Sequence, residues 1–243
     1  MSTMLAEELT RTYAQNYQAV LEHIAEAAER AGRDPQEVRL IAVSKTHPIE
    51  QVRAAVAAGI TILGENKPQE LAEKAQAIRD AQVHWCAIGH LQRNKAREIA
   101  QYAHEFHALD SLKVAEALQR RLDGFDRTLD VFIQVNTSLE EQKGGIAAGE
   151  LGQFLEALAP FDRLNVRGLM TMAAASTDPA VVRPAFQALR ELRDSTLPGA
   201  ELSMGMSGDY QWAVEEGATS VRVGSAIFGA RNYPNSPSAH EPK

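Results

Sequence analysis

Cysteine occurs once in the 243 residues, at Cys86, so an internal disulfide framework is excluded. That residue lies in the apolar run His84-Trp-Cys-Ala-Ile-Gly89, which reads as a buried thiol rather than a nucleophile. No run approaches the roughly 20 apolar residues that a membrane-spanning helix needs. The first ten residues carry acids and lack the apolar centre of a secretory signal. Positive charge is also short: 25 Lys and Arg stand against 32 Asp and Glu, a formal net charge of -7. A nucleic-acid partner, which needs a basic face, is therefore not expected. The seven histidines are scattered, and none pairs with another at the spacing that puts two metal ligands on one helix face. These shortages describe a cytoplasmic protein with no membrane, nucleic-acid or metal partner.

What is present is a repeated alternation. Residues 4–31 read as one amphipathic helix, with Leu5, Leu9, Val20, Leu21, Ile24 and Ala28 near helical spacing and Gly32 as the stop. Strand-like runs then recur at 39–45, 61–66, 84–89, 105–110, 130–136, 165–172, 201–206 and 220–227. Most are rich in Val, Ile, Leu or Phe without polar alternation, the pattern of strands covered on both faces. Helical segments fill the gaps. Pro48 opens 48–58 and Pro68 opens 68–80, Asp110 or Ser111 caps 112–122, and Asp178 with Pro179 starts a helix that runs to about 194. Gly217 closes the segment that begins at Tyr210.

Parallel strands need such crossovers, and eight of them close into a ring; the length is also near the roughly 250 residues of a (β/α)8 barrel. The sequence predicts a single (β/α)8 TIM barrel over 1–233 with an extra N-terminal helix. The Pro- and Ser-rich residues 234–243 read as a disordered tail. An open doubly wound sheet is the alternative, but the turn after strand one, Ser44-Lys-Thr-His-Pro48, has no glycine.

In a barrel of this kind the active face lies where strands end and the following loops begin. Strand one ends at Lys45. A partly desolvated lysine has a lowered pKa and attacks aldehydes; the alternative is a lysine that simply reaches solvent. Ser207-Gly208 precedes a helix after strand seven, and Gly224-Ser225 follows strand eight. Loops at these two places commonly hold phosphate beside a helix N-terminus; two ordinary glycine turns are the other reading. Arg222 shares a strand face with Gly224. Facing inward it would lie beneath a ligand, and facing outward it would need an ion pair. Gly64-Glu65-Asn66 offers polar groups near the lysine, and His90 and Met206 stand at neighbouring strand ends. Lys67, Arg93, Lys95 and Arg97 form a modest basic cluster, read equally as a solvated face or an anion dock. An amine, a phosphate cradle and an arginine at one mouth point to pyridoxal phosphate.

The motifs Ala42-Val-Ser-Lys45, Gly64-Glu-Asn66, Ile88-Gly-His-Leu-Gln-Arg-Asn-Lys95, Gln134-Val-Asn-Thr-Ser138, Lys143-Gly-Gly145, Gly168-Leu-Met-Thr-Met172, Leu202-Ser-Met-Gly-Met-Ser207 and Val221-Arg-Val-Gly-Ser-Ala-Ile-Phe-Gly229 arrive in one order across roughly residues 35 to 233. Together the chain resembles the pyridoxal phosphate homeostasis proteins. The resemblance implies a barrel like the N-terminal domain of alanine racemase. It implies that Lys45 carries pyridoxal 5'-phosphate as an internal aldimine and that Arg222 faces the pyridine nitrogen. Ser207, Gly208, Gly224 and Ser225 would hold the phosphate, and Asn66 would lie beside the lysine. Lys67-Pro68 and Trp212 depart from the family's usual residues without touching these positions.

The resemblance also implies a cofactor carrier or buffer rather than an enzyme, expected as a monomer that meets pyridoxal phosphate-dependent enzymes transiently. Racemases on this barrel take their second proton-transferring group from another domain, and the stretch after Tyr233 is too short to form one. A racemase working with Lys45 and one of Asp110, His90 or Tyr233 is the alternative. A Schiff-base aldolase on the same barrel is the third reading.

Overall fold

The apolar runs form parallel strands in the computed structural model, which describes residues 3–80, 82–138 and 144–229. They are β1 (Arg39–Val43), β2 (Ile62–Glu65), β3 (His84–Ala87), β4 (Glu105–Leu109), β5 (Leu129–Asn136), β7 (Leu164–Met170), β8 (Glu201–Met206) and β9 (Ser220–Val223). Each pairs in parallel with its neighbour, and β9 pairs back onto β1, with Ala42 opposite Val223. The result is a closed ring of eight strands, the barrel that the alternation predicts. A two-residue strand, β6 (Ile146–Ala147), adds to the end of β5 outside the ring.

Helices α2 (Ile49–Ala57), α3 (Pro68–Ala77), α4 (Ala96–Tyr102), α5 (Leu112–Phe125), α6 (Leu151–Leu158), α7 (Pro179–Thr196) and α8 (Tyr210–Glu215) make the crossovers. Ser111 caps α5 by accepting from Val114 N–H, and Asp178 caps α7 by accepting from Ala180 N–H. No helix among the described residues is long and apolar enough to cross a membrane.

Helix α1 (Thr3–Arg30) lies against α2, α8 and the last short helix, α9 (Ser225–Phe228). Tyr13 meets the Phe228 ring edge-on with centroids 5.2 Å apart, and Asn16 Nδ2 donates to the Ile227 carbonyl at 2.9 Å. The extra helix therefore holds α9, which follows the strand that closes the ring.

Three details depart from expectation. The last strand stops at Val223 rather than at 227; Gly224 turns the chain, and Ser225–Phe228 winds as α9. Ile227 and Phe228 are apolar because that helix turns them inward, and a short apolar run does not distinguish a strand from a buried turn of helix. The first strand likewise stops at Val43, which places Lys45 in the loop beyond it. Helices α4 and α6, which the sequence reading did not mark, span seven and eight residues and lack a side-chain cap. The expected tail at 234–243 lies outside the described residues.

Candidate functional site

Strands β8, β9, β1 and β2 are consecutive around the ring, so their C-terminal ends form one arc of the barrel mouth. A cavity of about 240 Å³ opens there. Lys45, Asn66, Met206, Ser207, Gly208, Arg222, Gly224 and Ser225 all line it. His90 does not; its side chain is largely exposed, with Nδ1 3.5 Å from Asp110 Oδ2 on the neighbouring strand end. Val43, His47, Ile88, Met172 and Gly229 complete the lining. Of these, His47 was missed, although it stands only two residues from the lysine.

The backbone is fixed on both sides of Lys45. The Ser44 carbonyl accepts from Lys74 Nζ at 2.8 Å, and the Thr46 N–H donates to Glu70 Oε1 at 2.6 Å. Thr46 sits at φ 69°, a left-handed conformation that is costly for a β-branched residue and so needs such support. Lys74 is itself 2% exposed and bridges Glu65 Oε1 at 2.8 Å and Glu70 Oε1 at 2.7 Å. Glu65, one of the polar groups that the sequence places near the lysine, engages Ser44 and α3 and does not line the cavity. Burial pushes its carboxyl up to about 7, against the pull of Lys74 and Ser44.

The other arms of the mouth depend on glycine. A Cβ at Gly89 would lie 2.2 Å from the Asn66 carbonyl oxygen and 2.6 Å from its Oδ1, so only glycine lets the loop after β3 sit against Asn66. Gly205, at φ +96°, leaves room for Ala213 of α8, which a Cβ would approach to 2.6 Å. The chain then turns through Ser207, whose Oγ accepts from the Gly224 N–H at 3.1 Å. That bond ties the two expected phosphate loops together and occupies one of the amides expected to face the anion. Ser225 opens α9, and the first N–H groups of a helix have no partner within it.

Arg222 forms the floor. It points into the barrel, is 4% exposed, and pairs with no carboxylate among the described residues. Its Nη1 donates to Ser203 Oγ at 2.6 Å and its Nη2 to the Thr171 carbonyl at 3.0 Å. Burial pulls its pKa down to about 10, with Asp209 opposing. His47 Nδ1 lies 2.9 Å from Gln51 Oε1, and its ring stacks on Phe228 with centroids 5.0 Å apart. At the opposite end of the barrel, ligand atoms of His84, Cys86 and Glu105 come within 4.8 Å of one another. The Arg39 guanidinium, 2.6 Å from the same carboxylate, opposes a metal cation there.

A barrel whose mouth brings together a lysine, a buried arginine with no carboxylate partner among the described residues and two joined glycine turns defines a class, and the family model described as "Alanine racemase, N-terminal domain" matches residues 15–232. The chain belongs to this family and groups within it with the pyridoxal phosphate homeostasis proteins. The curated protein of that name from Pseudomonas aeruginosa is 44% identical over 223 residues, covering 91% of this chain and 97% of its own. The solved structure of PipY from Synechococcus elongatus with PLP bound is 35% identical, with a TM-score of 0.72, over 85% of this chain and 100% of that one. A structure of an unknown protein from Bifidobacterium adolescentis, 35% identical, superposes with a TM-score of 0.85 over 91% of this chain and 96% of its own.

Proposed function

We propose that the protein binds pyridoxal 5'-phosphate at this mouth and serves the cell's supply of that cofactor as a carrier or buffer. The observation that carries the reading is the Arg222 guanidinium: buried, without a carboxylate partner among the described residues, and lining a cavity that also holds an amine. A buried charge left unpaired is costly, and a ligand that brings an electron-rich nitrogen over it offsets that cost. The names of the relatives and the cofactor seen in PipY support the same ligand.

The residues fit it. Lys45 supplies the amine for the aldehyde, on a loop held by Lys74 and Glu70. Ser207 and Ser225 supply hydroxyls and Gly208 and Ser225 backbone N–H groups for the phosphate, while Gly224, whose N–H is bonded to Ser207 Oγ, shapes the turn beside it. Asn66 lines the same cavity as Lys45, and Arg222 would keep a fixed positive charge near the cofactor's pyridine nitrogen and so hold it unprotonated. Bound there, the cofactor would supply an aldehyde carbon for condensation with the Lys45 amine, with loss of water. The protein acts in the cytoplasm as a monomer whose open mouth lets the cofactor pass to dependent enzymes by transient contact.

A second reading, an amino-acid racemase, rests on His47, an imidazole that lines the cavity near Lys45 and offers a second proton-transferring group. The visible spectrum of the purified protein before and after borohydride, for wild type and Lys45→Ala, tests the main reading. A yellow band that borohydride locks onto Lys45 and that the mutant lacks is the expected result. A colourless protein that takes up no added cofactor would sink it, and trapping only in the presence of a sugar phosphate would indicate an aldolase. Racemisation that vanishes in both Lys45→Ala and His47→Gln would favour the enzyme.

A further inference from the structure

Arg222 is one end of a buried polar chain that crosses the barrel interior. Its Nη1 donates to Ser203 Oγ at 2.6 Å. Ser203 Oγ lies 2.8 Å from His107 Nδ1, and His107 Nε2 lies 2.7 Å from Glu105 Oε2. Glu105 Oε1 in turn accepts from Arg39 Nη1 at 2.6 Å and lies 2.8 Å from His84 Nε2. Ser203 and His107 are 0% exposed, and Arg222 and Glu105 are 4% exposed. The links come from β9, β8 and β4, so the chain spans the ring rather than following one strand. The His107 ring is further held by stacking on Phe132, with centroids 4.1 Å apart.

Hydrogen counting gives this chain a direction. The Ser203 hydroxyl has one hydrogen and two lone pairs. Arg222 can only donate, so it takes a lone pair, and the serine hydrogen is left for His107 Nδ1. That nitrogen must then be unprotonated, which puts the ring's hydrogen on Nε2, facing Glu105. The charges agree. Burial pushes the His107 pKa down, with Arg222 and Arg39 acting the same way against Glu105, so the ring is neutral. Burial alone would raise the Glu105 carboxyl, but hydrogen bonds from His107, His84 and Arg39 outweigh it and hold the group ionised. The opposite tautomer would aim two donors at Ser203 and strand its hydrogen.

We propose that His107 is a positioning residue for Arg222: held as the Nε2–H tautomer by Glu105, it takes the Ser203 hydrogen and so turns the serine lone pair that fixes the guanidinium in the cavity floor. This rests on the reading of the mouth as a pyridoxal phosphate site. Glu105 and His107 touch no part of the cavity, so their effect reaches a ligand only through Arg222.

The test loads wild type, His107→Phe, His107→Asn and Ser203→Ala with pyridoxal phosphate. It reads the dissociation constant and the pH midpoint of the bound cofactor's visible band. Phe keeps a ring against Phe132 but removes the acceptor. Ser203→Ala removes the bridging hydroxyl with little change in volume, which keeps the test sound if the Phe variant fails to fold. A fixed cation disfavours the protonated chromophore, so loosening Arg222 raises the midpoint, by about half a unit or more. Affinity is expected to fall about tenfold in both variants. His107→Asn, which places Oδ1 near the Nδ1 position, is expected to return the midpoint towards wild type. A folded His107→Phe or Ser203→Ala protein with the wild-type midpoint overturns the proposal even if its affinity drops, because a purely structural loss weakens binding without moving the titration. Failure of Asn to restore the midpoint also overturns it. If wild type takes up no cofactor, the reading of the mouth fails as well; if wild type binds and the variants match it, only the role of His107 fails.

Discussion

Lys74 Nζ donates to the Ser44 carbonyl at 2.8 Å, so one buried lysine holds the peptide that presents another, Lys45, to the cavity. The side chain of Lys74 is 3% exposed and that of its partner Glu65 is 0% exposed. Lys74→Met removes one member of a buried pair and leaves the other uncompensated. The expected loss of stability is about 3–5 kcal/mol, measured by urea unfolding. Cofactor uptake at Lys45 is expected to slow in the same variant, because the loop loses its brace; uptake at the wild-type rate would show that Glu70 alone suffices.

Gly89→Ala forces a methyl into the Asn66 backbone at a distance no real contact tolerates. Overpacking of this kind costs about 1–3 kcal/mol. The neighbour that must move lines the cavity, so weaker cofactor binding is expected beside the lower melting temperature. A crystal structure of the variant with Asn66 in place would refute the link.

Arg222→Met exchanges a buried cation that has no carboxylate partner among the described residues for an apolar chain of similar length. Without cofactor this variant is expected to be as stable as wild type or more stable, by about 1–2 kcal/mol, while its affinity for pyridoxal phosphate falls. Calorimetry of the cofactor-free proteins decides it; a clear loss of stability would mean that the Ser203 and Thr171 bonds outweigh the buried charge.

Acid should unfold the barrel through its polar interior. His107 has a pKa below its ordinary 6.5, for which burial is the main cause, and Glu105 is held below its ordinary 4.5 by the three partners that outweigh burial. In both cases the unfolded chain binds more protons than the folded one, so stability falls as pH falls, first below 6.5 and then more steeply below 4.5. Glu105→Gln is expected to cost about 3 kcal/mol at neutral pH and to flatten the limb below 4.5, while the histidine limb remains. Denaturant midpoints across pH 3 to 8 would show it.

The barrel was legible because strands buried on both faces leave apolar runs, and the runs are separated by recognisable helix starts such as Asp178-Pro179. Lys45, Ser207 and Gly224 were legible because the mouth follows from strand ends once the ring is assumed. Residues whose surroundings come from other strands were not. Lys74 sits four residues after Glu70 in a polar helix, which reads as a surface pair, yet it is buried under the loop after β1. Glu105 and His107 alternate with apolar neighbours along β4, and nothing in that strand names Ser203 or Arg222 as their partners. The same limit carried the expected last strand on to Ile227, in a segment that winds as α9 and packs against α1.

Closure of the ring has a consequence for assembly. Lys45 follows the first strand and Ser225 the last, so the mouth is brought together by a pairing between segments that most of the chain separates. Such long-range contacts form late and slowly. Until β9 docks on β1, the amine and the Gly224-Ser225 turn belong to different ends of an open sheet. A ligand that grips both would act as a clasp. It would bind only finished barrels, resist their reopening at this one seam, and draw the folding equilibrium towards the closed form in proportion to its free concentration.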